Sequence, residues 1–242
     1  MTRATLERPT APTTESVDAE ASQVVRKAGT TAGVGLLLMS VLSAFGYLVA
    51  VKGLVVPGDA ARTAKNVAGH EAVFRFGILS LYLVAALDVV VARALYRMFK
   101  PVSEALSKLA AWLRVAYAGV FVVAISQLVG VLRLHGQALG HIDTFTDIWD
   151  AGLVLFGLNL LVLACLACRS GYVPTMLGVL LAIAGFGYVF DTVVRALVRG
   201  SSSDVSAVTG LGEFVFALWL VIRGRRNQPG PRSQIASRSW RL

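Results

Sequence analysis

Charge is scarce in this chain. Only 15% of its 242 residues are Asp, Glu, Lys or Arg, whereas 56% are hydrophobic and the mean hydropathy is +0.68. A soluble domain of that length needs far more polar surface, so an aqueous globular fold is excluded. Cysteine is nearly absent as well. The two that occur, Cys165 and Cys168, form the sequence CLAC inside an apolar run, with no companion pair to complete a metal site. A redox pair needs an accessible, activated thiolate, so both read as small packing residues. The seven prolines, at 9, 12, 57, 101, 174, 229 and 231, all fall outside the long apolar runs. No hydrolase nucleophile motif and no cleavable signal peptide is evident. The first 28 residues are polar and rich in Thr, Ala and Glu, and read as a disordered tail ahead of a first helix that is its own insertion signal.

What the chain does have is apolar runs near 20 residues, the length that crosses a ~30 Å hydrocarbon core at 1.5 Å per residue. Six spans are predicted: 32–51, 74–96, 109–132, 148–168, 175–197 and 207–223. Their apolar residues do not alternate between faces, which excludes a barrel and leaves helices. The predicted fold is all-α: a polytopic membrane protein with one six-helix transmembrane domain over 29–224 and a basic, disordered tail over 225–242. Sixteen of the 23 Lys and Arg lie on the side that carries both termini, so the positive-inside rule places both termini in the cytoplasm of a bacterial inner membrane. The C-terminal tail, RGRRNQPGPRSQIASRSWRL, alone carries six Arg. It suits anionic membrane lipids, and the +9 net charge needs no nucleic-acid partner to explain it.

Two loops stand out. In KGLVVPGDAARTAKNVAGHEAVFR, Pro57-Gly58 makes a turn and Asp59 caps a short helix over 60–69, with Ala61, Ala64 and Ala68 as its apolar face along the outer membrane surface. In LHGQALGHIDTFTDIWD, residues His135, His141, Asp143, Asp147 and Asp150 match no metal-ligand template, and read as a solvated loop that caps the fourth span. No metal and no cofactor is predicted. In the first span, Gly33, Gly35, Ser40, Ser43 and Gly46 offer small surfaces for close helix approach.

Ionisable residues inside the spans carry the functional signal. A charge at the bilayer centre costs ~2.5–3.5 kcal/mol or more, so such residues face the bundle interior. By helical rise Asp88 lies roughly 12 Å deep and Arg114 roughly 8 Å deep from the same side, so they can pair. Asp191 and Glu213 fall in the other half, with Arg195 one turn from Asp191, and Asn159 and Gln127 fall between. Two carboxylates sharing a low-dielectric site cannot both ionise cheaply, which makes Glu213 the candidate for the protonated acid and Asp191 for the ionised base. LDVVVARALYR and FDTVVRALVRG also hint at a 3+3 inverted repeat that places the pairs 88/114 and 191/213 at mirrored depths.

The stretches VPGDAARTAKNV, HEAVFRFGI, ARALYRMFKPV, LFGLNLLVLACLACRSGYVPTMLGVLLAIAGFGYVFD and GEFVFALWLVIRG together resemble the bacterial membrane family called domain of unknown function 4386, over roughly residues 30–224. The resemblance implies a six-helix membrane protein and supplies no activity. Its matching polar positions here are Glu71, Arg75, Asp88, Arg114, Asp191 and Glu213. One departure is Asn159, where the family block usually reads FGLHLL. A proton shuttle at that position would be lost, because Asn does not titrate.

Three functions fit these residues. The first is an intramembrane enzyme that performs acid–base isomerisation or cyclisation of a lipid- or isoprenoid-like substrate. In it Asp191, Glu213 and Asp88 move protons, Arg114, Arg195 and Asn159 hold the substrate, and Tyr188, Phe190, Phe214 and Trp219 shape an apolar pocket. The second is a proton-coupled transporter of a small amphiphile with Asp88 and Asp191 as coupling sites, in which Gly185 and Gly187 loosen the fifth span. Uninterrupted helices weigh against it. The third is a structural or partner-binding membrane protein whose charges only specify packing.

Overall fold

Residues 14–197 and 205–225, the part of the chain described by the computed structural model, are helical except for short connections. Helix α1, Thr14–Ser43, passes without a break into a nine-residue π-helix, Ala44–Lys52. Then follow α2, Ala60–Gly69; α3, Glu71–Phe99; α4, Glu104–Arg133; a 3₁₀ turn, His135–Gln137; α5, Ala138–Arg169; α6, Thr175–Leu197; and α7, Val205–Arg225. Five helical stretches, beginning at Ser22, Glu71, Glu104, Ala138 and Thr175, are long and apolar enough to cross a membrane, as a multi-pass membrane protein requires.

Two boundaries differ from the reading of the sequence. The polar tail expected through residue 28 is already helical from Thr14. Residues 1–13 and the tail from 226 onward lie outside the described residues. The segment expected as a His/Asp-rich loop is α5 from Ala138 on, because Ile142, Phe145 and Ile148 supply an apolar stripe that packs into the bundle. Among the described side chains the suspected ligands are dispersed along that helix. His141 Nδ1 lies 3.4 Å from Gln127 Oε1, and Asp143 and Asp147 are exposed.

The long helices pack in chain order as a closed ring: α1 against α3, then α4, α5, α6, α7 and back to α1. Small residues set the closest approaches, as they must where lipid removes the hydrophobic drive for helices to associate. A Cβ on Gly157 of α5 would stand 2.8 Å from the Gly185 carbonyl oxygen of α6, and one on Gly185 would stand 2.8 Å from the Gly157 carbonyl oxygen. Gly185 therefore locks α6 onto α5 rather than loosening it. On α1, Gly33 touches Ala217 and Leu220 of α7, and on the π-helix Gly46 touches Ser80 and Leu81 of α3. Cys168 Sγ occupies the space left by Gly178, which agrees with a packing role.

Capping residues fix the two ends. At the end carrying α2, Asp59 accepts the Arg62 N–H at 2.8 Å after a turn with Gly58 at φ +76°. The face of α2 that packs on the bundle is Thr63 and Val67, while Ala61 and Ala68 of the expected membrane-surface stripe are exposed. The Thr63 hydroxyl donates to the Val56 carbonyl and the Asn66 amide to the Leu54 carbonyl, which holds this face against the preceding loop. At the opposite end, Pro101 ends α3, Ser103 caps α4, and the 170–174 turn joins α5 to α6 through Gly171 at φ +67°.

That turn carries Tyr172, whose hydroxyl donates to the Met98 carbonyl at 2.8 Å while its ring stacks on Phe99 at 6.1 Å. Burial pushes the Tyr172 phenol up from its ordinary value. A folded-state pKa above the unfolded value of ~10 stabilises the fold below that pH, and this stabilisation fades as pH rises toward the folded value. Tyr172→Phe is expected to lose about 1 kcal/mol, one hydrogen bond, at neutral pH. The variant should also lack the part of the alkaline destabilisation that wild-type protein shows in thermal melts in detergent above pH ~10.

Candidate functional site

Polar groups are turned inward and apolar ones outward. Asp88, Arg114, Asn159 and Asp191 are all buried, whereas Phe76, Trp112, Phe186 and Phe190 are exposed on the outer surface of the ring. The predicted meeting of Asp88 and Arg114 occurs. Arg114 Nε donates to Asp88 Oδ1 at 2.8 Å, with side chains 2% and 0% exposed. The pair joins α3 to α4, and the guanidinium carbon also sits 5.3 Å from the centre of the Phe156 ring. The second oxygen, Asp88 Oδ2, is buried without a hydrogen-bond partner among the described residues.

Arg114 borders two small cavities. One, of about 10 Å³, lies between α3, α4 and α5 and is lined by Tyr96, Ser107, Ala110, Arg114 and Asn159. The other, also about 10 Å³, is lined by Leu36, Leu95, Arg114, Leu160, Glu213 and Phe216. Each has room for about one water and none for an isoprenoid chain. Glu213 thus shares a cavity with Arg114, and the Tyr188 hydroxyl donates to its carboxyl.

Asp191 belongs to a different group. Arg195 bonds Asp191 Oδ2 through Nη2 and Asp150 Oδ2 through Nη1, both at 2.7 Å. Thr192 donates to the Asp150 carbonyl at 3.2 Å, which ties α6 to α5. The predicted Asp191–Arg195 pair is present, but the predicted Asp191–Glu213 acid pair is not assembled. Successive helical positions send Asp191 toward α5, while Glu213 on α7 faces Arg114. The mirrored pairs of the inverted repeat are accordingly not seen: 88 pairs with 114, but 191 pairs with Arg195, which also holds Asp150.

An aromatic chain links the two groups. Phe156, beneath Arg114, touches Tyr117 at 4.8 Å and Tyr188 at 5.5 Å between ring centres. Trp149 Nε1 donates to the Tyr117 hydroxyl at 2.9 Å and meets Tyr47 edge-on at 4.7 Å. Tyr47 stands on the π-helix, within reach of the charges of Asp150 and Arg195. Of the aromatics expected to shape a pocket, Tyr188 takes part. Phe190 and Phe214 point outward, 63% and 46% exposed, because they sit on the apolar faces of α6 and α7. Trp219 borders neither cavity, and its ring is covered by Arg223 at 5.1 Å. Glu71 and Arg75 form an exposed pair at the start of α3.

Sequence reasoning missed Ser107, Tyr96, Tyr117, Trp149 and Tyr47, and read Asp150 as a capping residue rather than as a partner of Arg195. Asp150 could have been found as an acid a full three turns inside a helix, had Ala138 been recognised as its start.

The profile of the family described as "Domain of unknown function (DUF4386)" matches residues 31–224, which include every polar group of both clusters. This chain belongs to that family. An uncharacterized protein of Archaeoglobus fulgidus is 36% identical over 151 residues, covering 62% of this chain and 85% of that protein. The resemblance implied a bacterial setting, and this relative is archaeal. No solved structure matches the chain.

Proposed function

We propose that this protein is a proton-coupled transporter of a small amphiphile, with Asp88, Arg114 and Glu213 as its proton-carrying centre. The observation that carries this reading is the placement of two carboxyls, Asp88 and Glu213, about one guanidinium in a closed interior. One proton shared among these three groups leaves the centre neutral. Losing it leaves one negative charge in a medium that solvates charge poorly, which drives rearrangement. A coupling site needs this kind of bistability.

The enzyme reading has less support. A cyclase or isomerase for a lipid-like substrate needs a standing cavity, and both cavities beside the acids are water-sized. The objection to transport, uninterrupted helices, also weakens, because α1 departs from α-helical winding over Ala44–Lys52, opposite Asp150 and Arg195. In this reading α7 is the sixth span and closes the ring, and both termini face the cytoplasm of the cell membrane.

In proteoliposomes carrying an imposed pH gradient and an internal pH dye, a panel of small amphiphilic amines and acids is expected to include one whose uptake dissipates the gradient. Glu213→Gln is expected to reduce that flux roughly 10²-fold, the scale of removing a proton-transfer group. Substrate conversion without a gradient would mark an enzyme instead. If Glu213→Gln and Asp88→Asn both leave flux, expression and thermal stability untouched, the charges only specify packing.

A further inference from the structure

We infer that the cavity between Ser107, Asn159 and Arg114 is a bound-water site, and that it is the route by which protons reach the Asp88 carboxylate beside Arg114 from the end of the bundle bearing the 100–103 turn. The first half of this inference stands on its own geometry; the second rests on the proton-carrying role proposed above.

Asn159 crosses from α5 and donates through Nδ2 to the Ala110 carbonyl at 2.7 Å. A carbonyl only accepts, so the amide has one orientation, and Oδ1 is left to accept a hydrogen bond. Asn159 Oδ1 and Ser107 Oγ are both buried without a partner among the described residues, in residues each 1% exposed. Ser107, Ala110 and Arg114 recur at helical spacing on α4, so one face presents hydroxyl, carbonyl and guanidinium in a row along the cavity wall. The enclosed volume, about 10 Å³, suits one water. That water can donate to Asn159 Oδ1 and accept from the Ser107 hydroxyl and an Arg114 N–H, three bonds, which is the usual number for a buried water.

The outer rim of the same cavity is Tyr96, whose hydroxyl donates to Glu104 Oε1 at 3.5 Å. Glu104 is exposed beside Lys108 at the start of α4. A line of exchangeable groups therefore runs from Glu104 through Tyr96 to the water beside Arg114. The guanidinium has no acceptor and stays protonated, so it only holds the water and Asp88 Oδ1 in place, and the proton passes from the water to the second oxygen, Asp88 Oδ2.

An experimental structure of the full chain at a resolution that shows ordered water is expected to place one within hydrogen-bond distance of both Asn159 Oδ1 and Ser107 Oγ. A collapsed cavity, with the Ser107 hydroxyl turned back to the Ser103 carbonyl, would overturn the site. For the route, hydrogen–deuterium exchange is followed at the carboxyl infrared band that Asp88→Asn or Glu213→Gln removes, with no substrate and no gradient. Ser107→Val, which fills the cavity, is expected to lose the fast exchange phase, whereas Ser107→Ala keeps it. Unchanged exchange in Ser107→Val would overturn the route. Fast exchange in wild type together with no gradient-driven flux would instead overturn the transporter and leave the water site standing.

Discussion

Replacing Arg114 with Met is expected to destabilise the protein by about 3–5 kcal/mol, because it strands the Asp88 carboxylate in an apolar interior. Asp88 is 0% exposed, and among the described residues its hydrogen-bond partner is Arg114 Nε at 2.8 Å. The guanidinium also covers Phe156 and walls both cavities, so its removal costs packing as well as charge. The companion variant separates the two effects. Asp88→Leu combined with Arg114→Met removes both charges, and should recover most of the loss in a double-mutant cycle, since well-packed apolar replacements of buried pairs are often neutral. Reversible unfolding in detergent, read as a shift in midpoint, measures both. A double variant no better than Arg114→Met alone would mean that the pair is not what holds α3 to α4 there.

Gly157→Leu is expected to have an effect of similar size, about 3 kcal/mol, by a steric route. The first added carbon alone would meet the Gly185 carbonyl oxygen and Val189 Cγ2, each at 2.8 Å. A carbonyl on a neighbouring helix cannot swing aside as a flexible side chain can, so α5 and α6 must separate. Separation pulls Asp150 away from Arg195 and Phe156 away from Tyr188, which couples this crossing to both polar groups. Gly119→Ala is the control: nothing lies within 4 Å of its added Cβ, and Ala should stabilise that helix by roughly 0.5–1 kcal/mol. Thermal stability of the two variants in one detergent distinguishes a crowded crossing from a general intolerance of glycine replacement.

Hydropathy alone located the long helices, since an apolar run of membrane length permits little else. The Asp88–Arg114 pair was legible from depth, because both positions count in from the same-side ends of the second and third predicted spans. Asp191–Arg195 was legible from its four-residue spacing. What the sequence did not disclose is rotation. A helix apolar on nearly every side does not say which face its neighbour takes, so Glu213 was assigned to Asp191 although it faces Arg114, and Phe190 and Phe214 were assigned to a pocket although they face outward. The third partner of the Arg195 cluster, Asp150, was hidden for another reason. Its polar neighbours resemble a loop, and the apolar stripe that makes them helical shows only from Ala138 onward. The π-helical winding at Tyr47 left no sign in an ordinary apolar run.

Lipid-borne photolabelling gives the most direct test that the ring holds its ionisable groups away from lipid. A diazirine placed in the acyl chains of a nanodisc reports on side chains in contact with the hydrocarbon, and mass spectrometry reads the modified positions. Adducts are expected at Phe76, Phe186 and Phe190 and none at Asp88 or Asp191. Labelled Asp88 and Asp191 carboxyls beside unlabelled phenylalanines would contradict the arrangement on which both proposals stand.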